Sequence, residues 1–264
     1  MFNNNFDPVA FTFLVFEIRW YSISYILGIL LGWAYIKKFI IKENSIKILF
    51  DNYISYLIIG IILGGRLGYV LVYDLEYYLS DLIKIIYIWE GGMSFHGGVV
   101  GVIITSYIFC KIHKLTTFTY LDFVSLSAPI GIFFGRLANF LNSELYGRQT
   151  DILWSVKFLK IDNLNRHPSH IYEAIFEGLI LFIILNFFLK SLIRSPGKIS
   201  CFFLIFYYLF RFIIEFTREP DLHIGLILGI LSIGQVISIF TLLAGFVLYY
   251  LLGKNKNEEK IRYR

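Results

Sequence analysis

"YISYLIIGIILGGRLGYVLVY", residues 53–73, carries a single charged side chain, Arg66, in an otherwise apolar run. Roughly 18 or more mostly apolar residues are long enough to cross a bilayer as a helix, so the stretch reads as a membrane span. A charge inside it costs at least about 2.5–3.5 kcal/mol on insertion scales and therefore calls for a partner or a cavity. The rest of the chain has the same character. Of its 264 residues 57% are hydrophobic and 16% charged, against about 25% charged in soluble domains, and the mean hydropathy is +0.68.

Six further runs read as spans: residues 20–36, 97–111, 121–141, 169–189, 198–217 and 225–252. The expected fold class is all-α: an integral membrane bundle of about seven transmembrane helices. Residues 1–252 form one transmembrane domain and 253–264 a charged tail. Residues 82–89 are too short to span and read as a surface helix. The amino terminus lacks a basic leader region and a small-residue cleavage site, so it does not read as a cleaved signal peptide. Asp7-Pro8 and the apolar residues after it suggest a short re-entrant or interfacial segment.

Basic residues set the orientation. Lys37, Lys38, Lys42 and Lys47 follow the first span, Lys111 and Lys114 the third, Lys190, Arg194 and Lys198 the fifth, and five Lys and Arg residues the last. This alternation puts the amino terminus outside (periplasmic) and the carboxyl terminus in the cytoplasm. The loop after the fourth span breaks the rule: Arg148, Lys157, Lys160 and Arg166 make it basic although it lies outside, which suggests an anionic ligand there. The net charge of +5 is spread between apolar runs rather than along one solvent face, so it does not point to nucleic acid. Cys110 and Cys201 have no metal or disulfide spacing and read as small buried apolar residues.

Charges within the spans carry the chemistry. Besides Arg66 there are Arg136, Glu173, Glu177, Arg211 and Glu215. Tyr207, Arg211, Glu215 and Arg218 share one helical face. Arg211 and Glu215 could simply neutralise each other across a turn, but that leaves Arg66 and Arg136 unexplained. Arg136, Asn139 and Ser143 also share a face, and Gly131 and Gly135 allow close backbone approach. Glu173 and Glu177, four apart, repel unless one is paired with an arginine or protonated. His167 and His170 are poorly spaced as metal ligands, and no metal site is expected. His96, between two glycine pairs, could serve as a general base or as a hydrogen-bond donor; a structural donor role is the alternative. Arginine forks match phosphate, so the residues themselves point to an anionic lipid headgroup or another phosphate.

The stretch "GRLANFLNSELYGR", residues 135–148, resembles the signature motif of the prolipoprotein diacylglyceryl transferases of the bacterial plasma membrane. "IRWYSISYILG", "GGRLGYVLVYD", "GGMSFHGG", "RHPSHIYEA" and "FRFIIEFTREPD" follow that family's order over nearly the whole chain. The resemblance implies seven spans with an active site towards the outer face. It also implies transfer of the sn-1,2-diacylglyceryl group of phosphatidylglycerol to the lipobox cysteine of a prolipoprotein, forming a thioether and releasing glycerol phosphate, with no cofactor. Residues 1–252 would be the catalytic domain, and the partners would be phosphatidylglycerol, the lipobox peptide and membrane lipids. By the same resemblance Arg136 and Arg211 are the essential guanidiniums and His96 the candidate to take the thiol proton. Tyr21, Asn139, Glu144, Arg148, Tyr207 and Glu215 match further functional positions, and Arg66 and Tyr69 take a binding or support role. The family pattern has glycines where this chain has Ala138 and Ser143, which reduces backbone freedom there. A transporter or flippase for an anionic lipid or solute is the main rival; it predicts inverted repeats, which the sequence lacks.

Overall fold

The computed structural model describes residues 2–14, 16–220, 226–227 and 230–262. Among these, seven helices are long and apolar enough to cross a membrane. They are α1 (Trp20–Ile40), α2 (Asn44–Tyr73), α3 (Phe95–His113), α4 (Thr117–Asn142), α5 (Ser169–Phe188), α6 (Lys198–Thr217) and α7 (Ile233–Lys254). The last continues as helix to Arg262. Leu82–Ile86 and Ile88–Glu90 are 3-10 turns rather than a surface helix.

Two spans, α2 and α7, begin eight or more residues from where the apolar runs suggest. Helix α2 starts at Asn44, ahead of the apolar run, because its polar first turns are held from outside: Lys37 Nζ meets Asp51 Oδ1 at 2.7 Å. The expected start of the seventh span, Gly225, lies outside the described residues, and the helix begins at Ile233. Its boundary is a reciprocal capping box. Gln235 N–H donates to Ser232 Oγ at 3.2 Å, and Ser232 N–H donates to Gln235 Oε1 at 3.0 Å. Just before it, Leu226–Ile227 pairs antiparallel with Leu231–Ser232.

The chain forms two compact units, Met1–Tyr35 with Asp122–Arg264, and Ile36–Leu121. In the first, β1 (Phe2–Asn4) pairs parallel with β4 (Val156–Phe158), which pairs antiparallel with β5 (Asn165–Arg166). Between β1 and α1 the chain forms an antiparallel hairpin, β2 (Val9–Phe13) and β3 (Phe16–Arg19). The apolar segment expected before the first span is thus an extended hairpin, and its tip turns at Leu14 with φ +56°. Asn4 is fully buried and ties β1 to the end of α4. Its Nδ2 donates to the Phe140 carbonyl at 2.6 Å, and its Oδ1 accepts from Ser143 Oγ at 3.3 Å.

Helix α4 is the axis of this unit. A Cβ on Gly28 of α1 would lie 2.7 Å from Gly131 Cα, and one on Gly178 of α5 would lie 2.7 Å from Phe133 Cβ. Small residues thus let α1 and α5 approach α4 closely. Gly135 needs no such explanation, since nothing lies within 4 Å of its Cβ position; it borders open space rather than a helix contact. At the far end of α4, buried Asp122 accepts from Gly197 N–H at 2.8 Å, Ser200 N–H at 2.8 Å and Ser200 Oγ at 2.7 Å. A carboxylate at a helix start satisfies orphan N–H groups and the dipole, which fixes where α6 begins.

In the second unit α2 and α3 pack backbone to backbone. A Cβ on Gly64 or Gly68 would lie 2.8 Å from Gly101 Cα or 2.6 Å from Gly97 Cα. Tyr53 is fully buried and shares a 2.6 Å hydrogen bond with Ser106 Oγ. Cys110 and Cys201, in the second and first units respectively, are free and buried, as expected.

Candidate active site

Three arginines and three glutamates meet in the first unit. Glu173 and Glu177, on the first turns of α5, are fully buried. Arg136 of α4 reaches Glu173 Oε2 with Nη1 at 3.3 Å and Glu177 Oε2 with Nη2 at 3.1 Å. Arg211 of α6 binds Glu173 Oε1, lies 3.6 Å from Glu177 Oε1, and holds Glu215 at 2.9 Å one turn along its own helix. Arg218 adds a 3.7 Å contact from Nη1 to Glu173 Oε1. The i,i+4 glutamates thus coexist because guanidiniums separate them, and the Arg211–Glu215 pair is one edge of a larger network. The cluster holds equal numbers of formal charges, so it is balanced rather than cationic. Tyr207, stacked on Phe203 one turn away, is buried in the same helix. Glu215 also accepts from Ser232 Oγ at 3.0 Å, and the absence of a side chain at Gly234 leaves room for its carboxylate.

The turn after α4 is built around Glu144. Asn139 Nδ2 and Asn142 Nδ2 donate to its two carboxylate oxygens at 3.2 and 3.1 Å. Its neighbours Ser143 and Leu145 have φ of +57° and +53°, so the chain reverses sharply on both sides. The start of α5 holds the turn from beneath: Ser169 Oγ donates to the Leu145 carbonyl at 3.3 Å, and buried His170 donates through Nε2 to the Glu144 carbonyl. Beyond the turn, Arg148 N–H donates to the Thr217 carbonyl and Arg148 Nε to the Arg218 carbonyl, each at 2.9 Å. No ion pair joins Glu144 and Arg148 among the described residues. Glu144 is held by amides, and Arg148 clamps the end of α6. Gly147 lies so close to His167 that a Cβ would come within 2.7 Å of the histidine Cβ.

Three further predicted residues belong to the second unit. Arg66 is buried and every one of its donors is used. Nε donates to the Ile85 carbonyl at 2.8 Å, Nη2 to Lys84 at 2.6 Å and Tyr87 at 3.2 Å, and Nη1 to Gly91 and Gly92. Its guanidinium also lies over the Tyr78 ring at 5.0 Å. Tyr69 stacks on Tyr73 at 5.3 Å and, with Arg66, backs Gly92, whose φ is +76°. His96 is exposed in the first turn of α3 and meets Phe95 edge-on. Ser94 caps that helix by accepting from Gly97 N–H at 3.3 Å. Tyr21, in the first turn of α1 in the first unit, packs against Tyr25 at 5.1 Å.

A family profile described as prolipoprotein diacylglyceryl transferase matches residues 8–251. The chain belongs to that family. A phosphatidylglycerol–prolipoprotein diacylglyceryl transferase of Rickettsia bellii (strain OSU 85-389) is 49% identical over 248 residues, covering 92% of this chain and 94% of the relative. Those of Rickettsia typhi (strain ATCC VR-144 / Wilmington) and Rickettsia canadensis (strain McKiel) are each 48% identical, covering 91% of this chain and 95% of theirs.

Of the two positions at which this member of the prolipoprotein diacylglyceryl transferases departs from the family pattern, Ala138 lies within α4 and Ser143 just after it. Ser143, where that pattern has glycine, sits in the left-handed region, which costs an L residue roughly 1–2 kcal/mol; its hydroxyl offsets part of this through Asn4. Sequence reasoning missed Asn4, Gly147, His170 and Ser232 as shapers of the site. The Ser-x-x-Gln box at residues 232–235 is the one with a local signal. The basic loop after α4 also differs from expectation. Arg166 is buried and bound internally, to Asp162 Oδ2 at 2.6 Å, Glu219 Oε2 at 3.1 Å and the Gly147 carbonyl at 3.0 Å. The Arg166 hydrogen bond holds the Asp162 carboxyl below its usual range, and burial lowers His167. Arg148 and Arg166 therefore help to shape this loop through the Arg218 and Gly147 carbonyls.

Proposed function

We propose that the protein moves the diacylglyceryl group of phosphatidylglycerol to the lipobox cysteine of a prolipoprotein, the activity carried in the names of its relatives. The supporting observation is the guanidinium–carboxylate cluster set under the Glu144 turn, in a chain that matches the family over residues 8–251. The cysteine thiolate attacks the glyceryl carbon that bears the phosphate. The C–S bond forms, the C–O bond breaks, and the electron pair leaves on the phosphate oxygen as glycerol phosphate. Charge grows on that phosphate as the bond breaks, and preorganised donors stabilise it without reorganising. Arg136 and Arg211, whose forks Glu173, Glu177 and Glu215 pin, contribute to this as fixed positive charges beside the site rather than as direct grips on the phosphate oxygens. The thiol, with a pKa near 8.5, is mostly protonated at neutral pH, so a base is needed; His96, exposed at the start of α3, is our candidate. Tyr21, Tyr207, Asn139, Glu144 and Glu215 line or brace the substrate site. Arg66 and Tyr69 brace the Gly91–Gly92 turn before His96.

The basic loops support an orientation with the amino terminus outside and the Glu144 turn at the outer face of a bacterial plasma membrane. A membrane-impermeant maleimide should then label Lys160→Cys in intact cells and Lys38→Cys only after permeabilisation; the reverse pattern would invert the topology. Activity is tested by mixing purified protein, phosphatidylglycerol and a lipobox peptide and following peptide mass. The expected product is the peptide plus one diacylglyceryl group. Its absence, under conditions where a known transferase works, would refute the assignment.

A further inference from the structure

The cluster does not hold its three arginines alike. Both Nη groups of Arg136 and both of Arg211 face carboxylate oxygens, with Arg136 at 3.1 and 3.3 Å and Arg211 Nη2 at 2.9 Å. The end of each fork, the edge that grips a phosphate in two parallel bonds, is thereby occupied. Arg218 differs. Among the described residues its guanidinium has one ionic contact, at 3.7 Å to Glu173 Oε1, too long for a hydrogen bond, and it donates no side-chain hydrogen bond. Its side chain is nevertheless only 11% exposed. The side chain is largely enclosed, yet its N–H groups are unpaired among the described residues and none of them is sealed off from the surface, so they remain open to an anionic ligand that a guanidinium fork can grip.

The backbone shows why that side chain is fixed in place. Arg218 N–H donates to the Glu215 carbonyl at 3.2 Å, and its own carbonyl accepts from Arg148 Nε at 2.9 Å. Gly147 bridges antiparallel to Arg218, and Glu219 N–H donates to the Tyr146 carbonyl at 3.2 Å. The segment is zipped onto the Glu144 turn on one side and continuous with α6 on the other. Arg218 thus stands between the turn and the balanced cluster, with a rigid main chain behind it.

We infer that Arg218 is the guanidinium that receives the phosphate oxygens of the lipid donor, with Arg148 as the positioning residue that holds its carbonyl. This deepens, and rests on, the transferase reading. Two ligands offer the same phosphate chemistry: the diester of phosphatidylglycerol and the monoester released as glycerol phosphate. The inference commits to the diester.

The test uses the full chain in vesicles of phosphatidylglycerol diluted in phosphatidylcholine, with a lipobox peptide. For wild type, Arg218→Ala and Arg218→Lys it measures kcat, KM for phosphatidylglycerol, inhibition by soluble glycerol phosphate, and equilibrium binding of a fluorescent phosphatidylglycerol. Loss of a charge-assisted fork should raise the phosphatidylglycerol KM and dissociation constant about 10- to 100-fold. The lysine variant should fall between, because an ammonium keeps the charge but not the fork. Wild-type affinity for phosphatidylglycerol in Arg218→Ala, or a loss confined to kcat, overturns the inference. So does weakened inhibition by glycerol phosphate with an unchanged phosphatidylglycerol KM, which would assign Arg218 to the product alone. If the alanine variant does not accumulate folded, Arg218→Lys carries the test, and a wild-type KM there overturns it. A wild type that binds phosphatidylglycerol but forms no adduct would instead sink the transferase reading.

Discussion

Replacing Glu173 with glutamine tests whether the cluster is an electrostatically balanced unit. The change is nearly isosteric, so it opens no cavity, and it removes one charge from a fully buried position. Glu173 faces Arg136 Nη1 at 3.3 Å and Arg218 Nη1 at 3.7 Å, and it binds Arg211 directly. The neutral amide leaves three guanidiniums sharing two carboxylates. Removing one partner of a buried ion pair costs about 3–5 kcal/mol, because the partner charge stays behind uncompensated. Against a total stability of roughly 5–15 kcal/mol, that is a large fraction. Unfolding of the detergent-solubilised protein by heat and by denaturant would measure it. Glu173→Gln should also be stabilised by added inorganic phosphate more than wild type is, since the vacated charge position now attracts an anion. A variant within about 1 kcal/mol of wild type, with no difference in its response to phosphate, would refute the balanced-cluster account.

Glycine substitutions should have opposite signs at two sites. Gly101→Ala drives a methyl into the Gly60 backbone, with its Cβ 2.8 Å from the Gly60 carbonyl carbon, and should cost about 1–3 kcal/mol or more. Gly135→Ala meets nothing within 4 Å and should stabilise α4 by about 0.5–1 kcal/mol; equal effects in melting experiments would contradict the packing described. Ser143→Gly should relieve the left-handed strain and stabilise by up to about 1 kcal/mol; destabilisation would mean that the 3.3 Å bond to Asn4 outweighs it. The Asp162 carboxyl, held low by Arg166, contributes stability that is present above its unfolded pKa of about 3.9. That contribution is lost as pH falls through the lower folded value. Protection factors of the Val156–Arg166 amides, exchange rates corrected for the intrinsic pH dependence, should therefore fall below about pH 4 in wild type, with a flatter response in Asp162→Asn; identical pH profiles would remove the pair from the account.

Much of the fold is written in apolar run length, because a helix hides its backbone from lipid without help from distant residues. The α6 boundaries, Lys198 and Thr217, coincide with those read from the sequence for this reason. Where polar turns continue a span, as in the first turns of α2, run length cannot find the end. The hairpin before α1 was illegible because its turn uses Leu14 at positive φ in place of the Asn-Gly or Asp-Gly that signals such turns. In the site, the spacing of Arg211 and Glu215 was enough to place them on one face. The carbonyl cradle of Arg66 was not foreseeable, since its acceptors are main-chain atoms with no residue code. The unequal engagement of Arg136, Arg211 and Arg218 depends on three helices meeting, and no local pattern encodes that.

Equal numbers of guanidiniums and carboxylates also bear on turnover. At the site proposed above, the phosphodiester of the donor would bring one negative charge to a cluster whose formal charges balance. The phosphomonoester that leaves carries up to two near neutral pH, since its second pKa is near 6. With the cluster's guanidiniums already matched in number by carboxylates, that second charge would have no matching cation, an uncompensated cost. On that proposal, the carboxylates that pin the forks make the product a poorer guest than the reactant, so that completing the reaction would weaken the hold on what it leaves behind.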